Sequence, residues 1–362
     1  MMVHSLVKLA GACAFVLGLP LAAMAQQNAA PAAAPGAAPA AAPAPVAAAP
    51  APVPPAGSTA VPGWNKPPAW DAVSGKPQYA SVPGRETNVL IEDYGHVWRQ
   101  LRNGPITFYG GILLLIPVVL VTLFYVAKGP IKVQDPLTGR MIERFTGVER
   151  TAHWSMGLSF VALAITGIVI LWGKHLFLPI IGAAAFSALT VACKNIHNFV
   201  GPLFIFALVV FITLFIKENR WKGYDATWLA KGGGLLTGEH PPSGKFNGGE
   251  KMLFWIVVVF LCTVLSATGL VLNFPNWNQS RELMAIANIL HGTAAVLAMA
   301  AATMHIYLGS VGQVGAFKAM KTGYVDETWA KEHHPLWYED VKAGKRPEKI
   351  VAPTAQPVAG DD

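Results

Sequence analysis

Charge and cysteine are both scarce in this chain. Only 13% of its 362 residues are charged against 53% hydrophobic, a balance typical of membrane proteins rather than soluble domains. Three cysteines, at 13, 193 and 262, exclude a disulfide framework, and their spacing suits neither zinc nor iron–sulfur ligation. No C-x-x-C-H occurs, which excludes a covalently attached c-type haem. The long apolar runs contain no Asp, Glu, Lys or Arg between their ends, so an acidic relay of the kind proton pumps and ion-coupled transporters need is missing. No inverted repeat of the transporter kind is visible either.

The N-terminal third cannot build a core. Residues 1–25 read as a secretory signal, with Lys8 before an apolar run from Leu9 to Leu21 and an Ala23-Met24-Ala25 cleavage site. From Gln26 to Ala60 the chain is nearly pure Ala and Pro, the composition of a disordered or polyproline-like tether. Residues 61–105 add Trp64, Trp70, Tyr79, Tyr94 and Trp98 among prolines and extend the arm along a partner or membrane face; His96 within it reads as solvated.

Five apolar segments follow: Ile106–Ala127, His153–Trp172, His197–Ile216, Leu253–Phe274 and Leu283–Gly309. Each is long enough to cross a bilayer as a helix. Residues 176–193 are apolar too, but Pro179 and Gly182 weaken them, and they read as a re-entrant or interfacial piece or an outward extension of the third helix. The loop and tail charges fix this. Eighteen Lys and Arg fall in 128–152, 217–252 and the C-terminal region, against Lys174, Lys194 and Arg281 in the intervening loops. By the positive-inside bias the former are cytoplasmic and the mature N-terminus is external. The net charge of +7 therefore belongs to membrane topology and lipid contact, not to nucleic acid. Residues 343–362 read as a disordered cytoplasmic tail.

The last span carries His291 and His305, fourteen residues apart. Fourteen steps of a helix return to within about 40° of the same face and climb about 21 Å. Two stacked imidazoles facing a bundle interior suit a pair of haems, provided two more histidines sit at matching depths. His153 opens the second span at the cytoplasmic side and His197 the third at the external side. Depth pairs His153 with His305 at an inner site and His197 with His291 at an outer one. Bis-imidazole ligation gives a six-coordinate iron suited to electron transfer.

Small residues on the same faces leave room for a porphyrin: Gly157 and Gly201 lie four residues after a ligand, Gly167 fourteen after His153, and Gly292 beside His291. Arg150 and Lys194 each precede a ligand by three residues, where a propionate wants a cation. His175, His240, His333 and His334 read as solvated or partner-facing. The stretch from Gly244 to Lys251, with Asn247 and Gly248, is a glycine-rich turn leading into a helix near the inner surface, where an amide and exposed N–H groups can bind a quinone carbonyl.

Several motifs together resemble the gamma subunit of membrane-bound formate dehydrogenase, in its long proteobacterial form. They are Arg150-Thr151-Ala152-His153-Trp154, Ile196-His197 with Gly201, Gly244-Lys245-Phe246-Asn247, Met304-His305-Ile306-Tyr307, and the stretch from Trp329 to Tyr338. The resemblance spans about residues 140–342. It implies an all-α membrane protein: a four-helix dihaem cytochrome b core, 128–342, preceded by one extra span, 106–127. It also implies two b-type haems, ligated by the His153–His305 and His197–His291 pairs, and a quinone pocket (menaquinone or ubiquinone) at Asn247, Gly248 and His305. Glu250 departs from the Gln usual in that family. The implied partners are an iron–sulfur beta subunit and a molybdenum- or tungsten-containing alpha subunit, in a bacterial inner membrane. Cytochrome b subunits of nickel–iron hydrogenase or thiosulfate reductase share the paired-histidine logic. A haem-free anchor or transporter is the alternative from another class.

Overall fold

The computed structural model describes residues 78–79, 90–91, 93–235 and 237–352. The signal, the Ala/Pro tether and residues 353–362 lie outside the described residues, as does the side chain of His96.

Five helices are long and apolar enough to span a membrane: α1 (Val97–Lys128), α2 (Gly147–Leu176), α3 (Leu178–Phe215), α5 (Gly248–Asn273) and α6 (Arg281–Gly312). Between them lies the short α4 (Gly223–Ala230), and α7 (Ala316–Thr322), α8 (Glu327–His333) and α9 (Pro335–Lys342) follow. A two-residue pairing joins β1 (Gln78–Tyr79) to β2 (Leu90–Ile91). The strands β3 (Met141–Glu143), β4 (Tyr324–Asp326) and β5 (Ile350–Val351) form a small antiparallel sheet in the order β4-β3-β5.

That sheet decides the topology. It draws the α1–α2 loop and the C-terminal region together, with Ile142 opposite both Val325 and Ile350. The α3–α5 loop joins the same cap, since Leu336 donates its N–H to the Ser243 carbonyl at 3.1 Å. All three basic segments therefore sit at one end of the bundle. Only two crossings separate the first from the second, so residues 176–193 are not a crossing of their own. Most of them extend the third helix at the end of the bundle away from the cap: the continuous part of α3 after Gly182, residues 183–215, spans about 50 Å at 1.5 Å per residue, well over a ~30 Å hydrocarbon layer. Gly182, at φ 76°, kinks it where no helical residue could. Below the kink Phe186 lies over Gly173 of α2 so closely that a Cβ there would come within 2.7 Å of its ring.

Helix starts follow local chemistry. Thr146 caps α2 and Asn247 caps α5, each in a reciprocal box with the glutamate three residues on. Helical structure begins well before Ile106: Asp93–Leu101 is helical and runs into a π-helical turn, Arg102–Ile106, before Thr107–Lys128. The π turn accommodates Pro105, whose ring would clash in a continuous α-helix.

The cap shares one core with the bundle, in which Ile142, Phe145, Phe215, Phe246, Trp329 and Trp337 are buried together with Phe211 and Phe254 of the spans. Arg144 is buried among them, over the rings of Phe145 and Trp329 at 4.9 and 5.1 Å, and pairs with Glu250 at 3.0 Å. Three sequence expectations change here. His334 is buried rather than solvated, its Nδ1 2.8 Å from the Gly244 carbonyl oxygen. His175 is likewise buried, in the last turn of α2. Residues 343–352 are ordered, because β5 completes the sheet and Arg346 bridges Glu218 and Glu348 at 3.0 Å each. A composition-based reading cannot see a partner strand two hundred residues away.

Candidate functional site

The four membrane histidines meet in two pairs. The rings of His153 (α2) and His305 (α6) have centroids 6.1 Å apart, as do those of His197 (α3) and His291 (α6). Three helices thus supply four rings, and α6 contributes to both levels because His291 and His305 share a face. The spacing is informative. An iron–nitrogen bond of about 2 Å plus about 1.1 Å from nitrogen to ring centre, doubled, gives about 6 Å. Two imidazoles in direct hydrogen bond would lie closer. Among the described residues no cluster of three or more His, Cys, Asp or Glu could hold a bare metal ion, so two axial ligands with a planar group between them is the donor set on offer.

The outer pair opens onto a cavity of about 390 Å³ between α1, α2, α3, α5 and α6, within the size range of cofactor sites. Its walls are apolar, with Gly167, Gly201 and Gly269 where the helices approach the rings. A Cβ on Gly167 would lie 3.7 Å from the His197 ring and one on Gly269 3.4 Å from the His291 ring, whereas nothing lies within 4 Å of one on Gly201. A flat, largely apolar group of porphyrin dimensions fits such a slot. Gly292 also lines the cavity but packs toward Ile106 of α1.

Both outer ligands are oriented by threonines that sequence reasoning did not single out. Thr166 Oγ1 lies 2.8 Å from His197 Nδ1, and Thr268 Oγ1 lies 2.9 Å from His291 Nδ1. Each hydroxyl also reaches carbonyls one turn back, Ala162 for Thr166 and Val264 for Thr268. With its proton donated there, the oxygen accepts from Nδ1–H, and Nε2 is left as the bare lone pair that a metal requires. A sequence signal existed: Thr-Gly occurs in both α2 and α5, at 166–167 and 268–269, the threonine holding the ring and the glycine making room beside it.

At the inner level His153 is flanked by Phe211, at 6.3 Å between centroids, and its Nδ1 is buried with no hydrogen-bond partner. A Cβ on Gly157 would meet nothing within 4 Å. Arg150 is tied down, Nη1 donating to the Lys321 carbonyl at 2.8 Å, so it links α2 to α7. Lys194 lines the outer cavity. Asn247 uses its Oδ1 to cap α5, accepting from Glu250 N at 2.9 Å, which leaves its NH₂ for another acceptor. Gly248 is buried against α4, where a Cβ would come within 3.0 Å of the Asp225 carbonyl oxygen.

Residues 144–323 match the family model of prokaryotic cytochrome b561. That region, about half of the chain, contains all four histidines. It is 29% identical over 209 residues to the cytochrome b556(Fdn) subunit of the nitrate-inducible formate dehydrogenase of Escherichia coli K12, a match covering 56% of this chain and 93% of that protein. It is 28% identical over 205 residues to the cytochrome b556(fdo) subunit of formate dehydrogenase from the same organism, at the same coverage. To the formate dehydrogenase cytochrome b556 subunit of Haemophilus influenzae Rd it is 29% identical over 212 residues, covering 56% of this chain and 84% of that protein. Family and relatives together support a formate dehydrogenase cytochrome b subunit.

Proposed function

We propose that this chain is the dihaem, quinone-reducing membrane anchor of a formate dehydrogenase in a bacterial inner membrane, with its basic cap in the cytoplasm. The observation that carries the reading is the pair of imidazole pairs, each with a centroid spacing of 6.1 Å, on helices whose common member separates them by about 21 Å. Low-spin b-type haem, when bound, exchanges one electron without changing its ligands. The residues of the chain do the rest. His197 and His291 hold one group at the open end, Thr166 and Thr268 fix their rings, and His153 and His305 hold the second group near the cap. The route then runs from a partner at the open end to a quinone at the cap. An iron–sulfur beta subunit and a molybdenum- or tungsten-containing alpha subunit would be those partners, bringing electrons from formate. Asn247, with its unused NH₂, and His305 flank the quinone end. The scarcity of acidic groups inside the bundle supports electrons rather than ions as cargo.

The test is a haem count and redox titration of the purified chain. Two low-spin haems are expected, one lost in His291→Ala and the other in His153→Ala; full haem content in either variant overturns the assignment. In the assembled complex, formate and not hydrogen reduces them.

A further inference from the structure

Helix α1 lies outside the family-matched region, yet it forms part of the wall of the outer cavity. Two of its residues, Arg102 and Ile106, line that cavity together with His197 and His291. The helix is held tightly against the ligand-bearing bundle. Trp172 Nε1 of α2 donates to the Thr107 carbonyl at 2.9 Å, and a Cβ on Gly110 would come within 3.1 Å of Val296 of α6. Arg102 opens the π-helical turn, and its carbonyl accepts from both the N–H and the hydroxyl of Thr107. Such turns are frequent at functional sites. The Arg102 guanidinium is aimed by two of its five donors, to the Ile170 carbonyl at 2.9 Å and to Asn103 Oδ1 at 3.0 Å.

The charge on the cavity wall is lopsided. Arg102 and Lys194 line it with three asparagines, 198, 273 and 288, and among the described residues lining it there is no Asp or Glu. Two cations facing an apolar slot without an acid call for a ligand with two negative charges on a flat apolar body. Haem has that composition: a porphyrin face and two propionates.

We propose that α1 completes the outer haem site and that Arg102, with Lys194, meets the two propionate carboxylates of the group held by His197 and His291. The inference rests on the dihaem reading above and adds a helix and a residue to it. A cation beside a propionate stabilises the reduced haem, so removing it lowers the midpoint potential.

The experiment is a redox titration of the full chain with Arg102→Gln and Arg102→Lys. The Gln variant should keep two haems and lower one midpoint by about tenfold in the reduction equilibrium, about 59 mV for one electron. The displaced wave should be the one missing from His291→Ala, and Arg102→Lys should restore most of the shift. Unmoved midpoints, displacement of the inner wave, or a Lys variant that behaves like Gln would overturn the assignment. If Arg102→Gln sheds the outer haem, retention in Arg102→Lys supports the proposal and loss from both refutes it. A wild-type chain that holds no haem would instead sink the function from which the inference starts.

Discussion

Thr268→Val isolates one physical effect at the outer pair. Valine keeps nearly the shape of threonine and removes only the oxygen that lies 2.9 Å from His291 Nδ1. That oxygen is positioned in turn by the Val264 carbonyl, which accepts its proton at 2.6 Å. In the variant the Nδ1–H of the ligating ring is left without a partner in apolar surroundings, a cost of about 1–3 kcal/mol. Converted to affinity this is about tenfold to a hundredfold, the range typical when the outer-shell partner of a ligating histidine is lost. The ring also becomes a poorer electron donor, so the oxidised iron is less well stabilised and the midpoint rises. This is opposite in sign to the Arg102 variant, which separates ligand basicity from propionate charge. Haem retention through detergent washing and a potentiometric titration give both quantities. Thr213→Val is the control, because that hydroxyl is exposed and bonds only the Val209 carbonyl of its own helix. The reasoning fails if Thr268→Val holds its haem as tightly as the wild type at an unchanged midpoint, or if the wave that moves belongs to the inner pair.

Two further outcomes concern the cap. Lys251 and Asp225 form a pair at 2.7 Å with side chains 2% and 0% exposed; Lys251→Met should cost about 3–5 kcal/mol by stranding the carboxylate, and thermal unfolding of Lys251→Met with Asp225→Leu should recover most of it. Acid should weaken the cap through His333, whose pKa is lowered to about 4 by burial and then by His240 and Arg144, and through His334, lowered by burial and then by Arg144. The sign is set by the neutral rings of the folded state: the unfolded chain binds protons first, below about pH 6.5, so stability is lost as pH falls from there toward 4. A melting temperature that is flat between pH 7 and 5, or one that falls equally steeply in His333→Gln, would contradict this.

What the sequence determined is the part governed by local periodicity and length. Spans of about 20 apolar residues, a fourteen-residue histidine interval and a one-sided distribution of Lys and Arg depend on helix geometry and bilayer thickness, and both are readable along the chain. The five spans and the shared face of His291 and His305 follow from these alone. The tertiary structure decided what depends on contacts distant in sequence. The ring held by Thr268 lies 23 residues on, at His291, and Arg102 reaches the carbonyl of Ile170, 68 residues away. β5 is a strand because β3 is there to pair with it, and His334 is buried against the Gly244 carbonyl and the rings of Trp329 and Trp337. A hydroxyl, a guanidinium or a tail residue has no intrinsic address in the sequence; its role is assigned by which groups the packed helices bring within hydrogen-bonding distance.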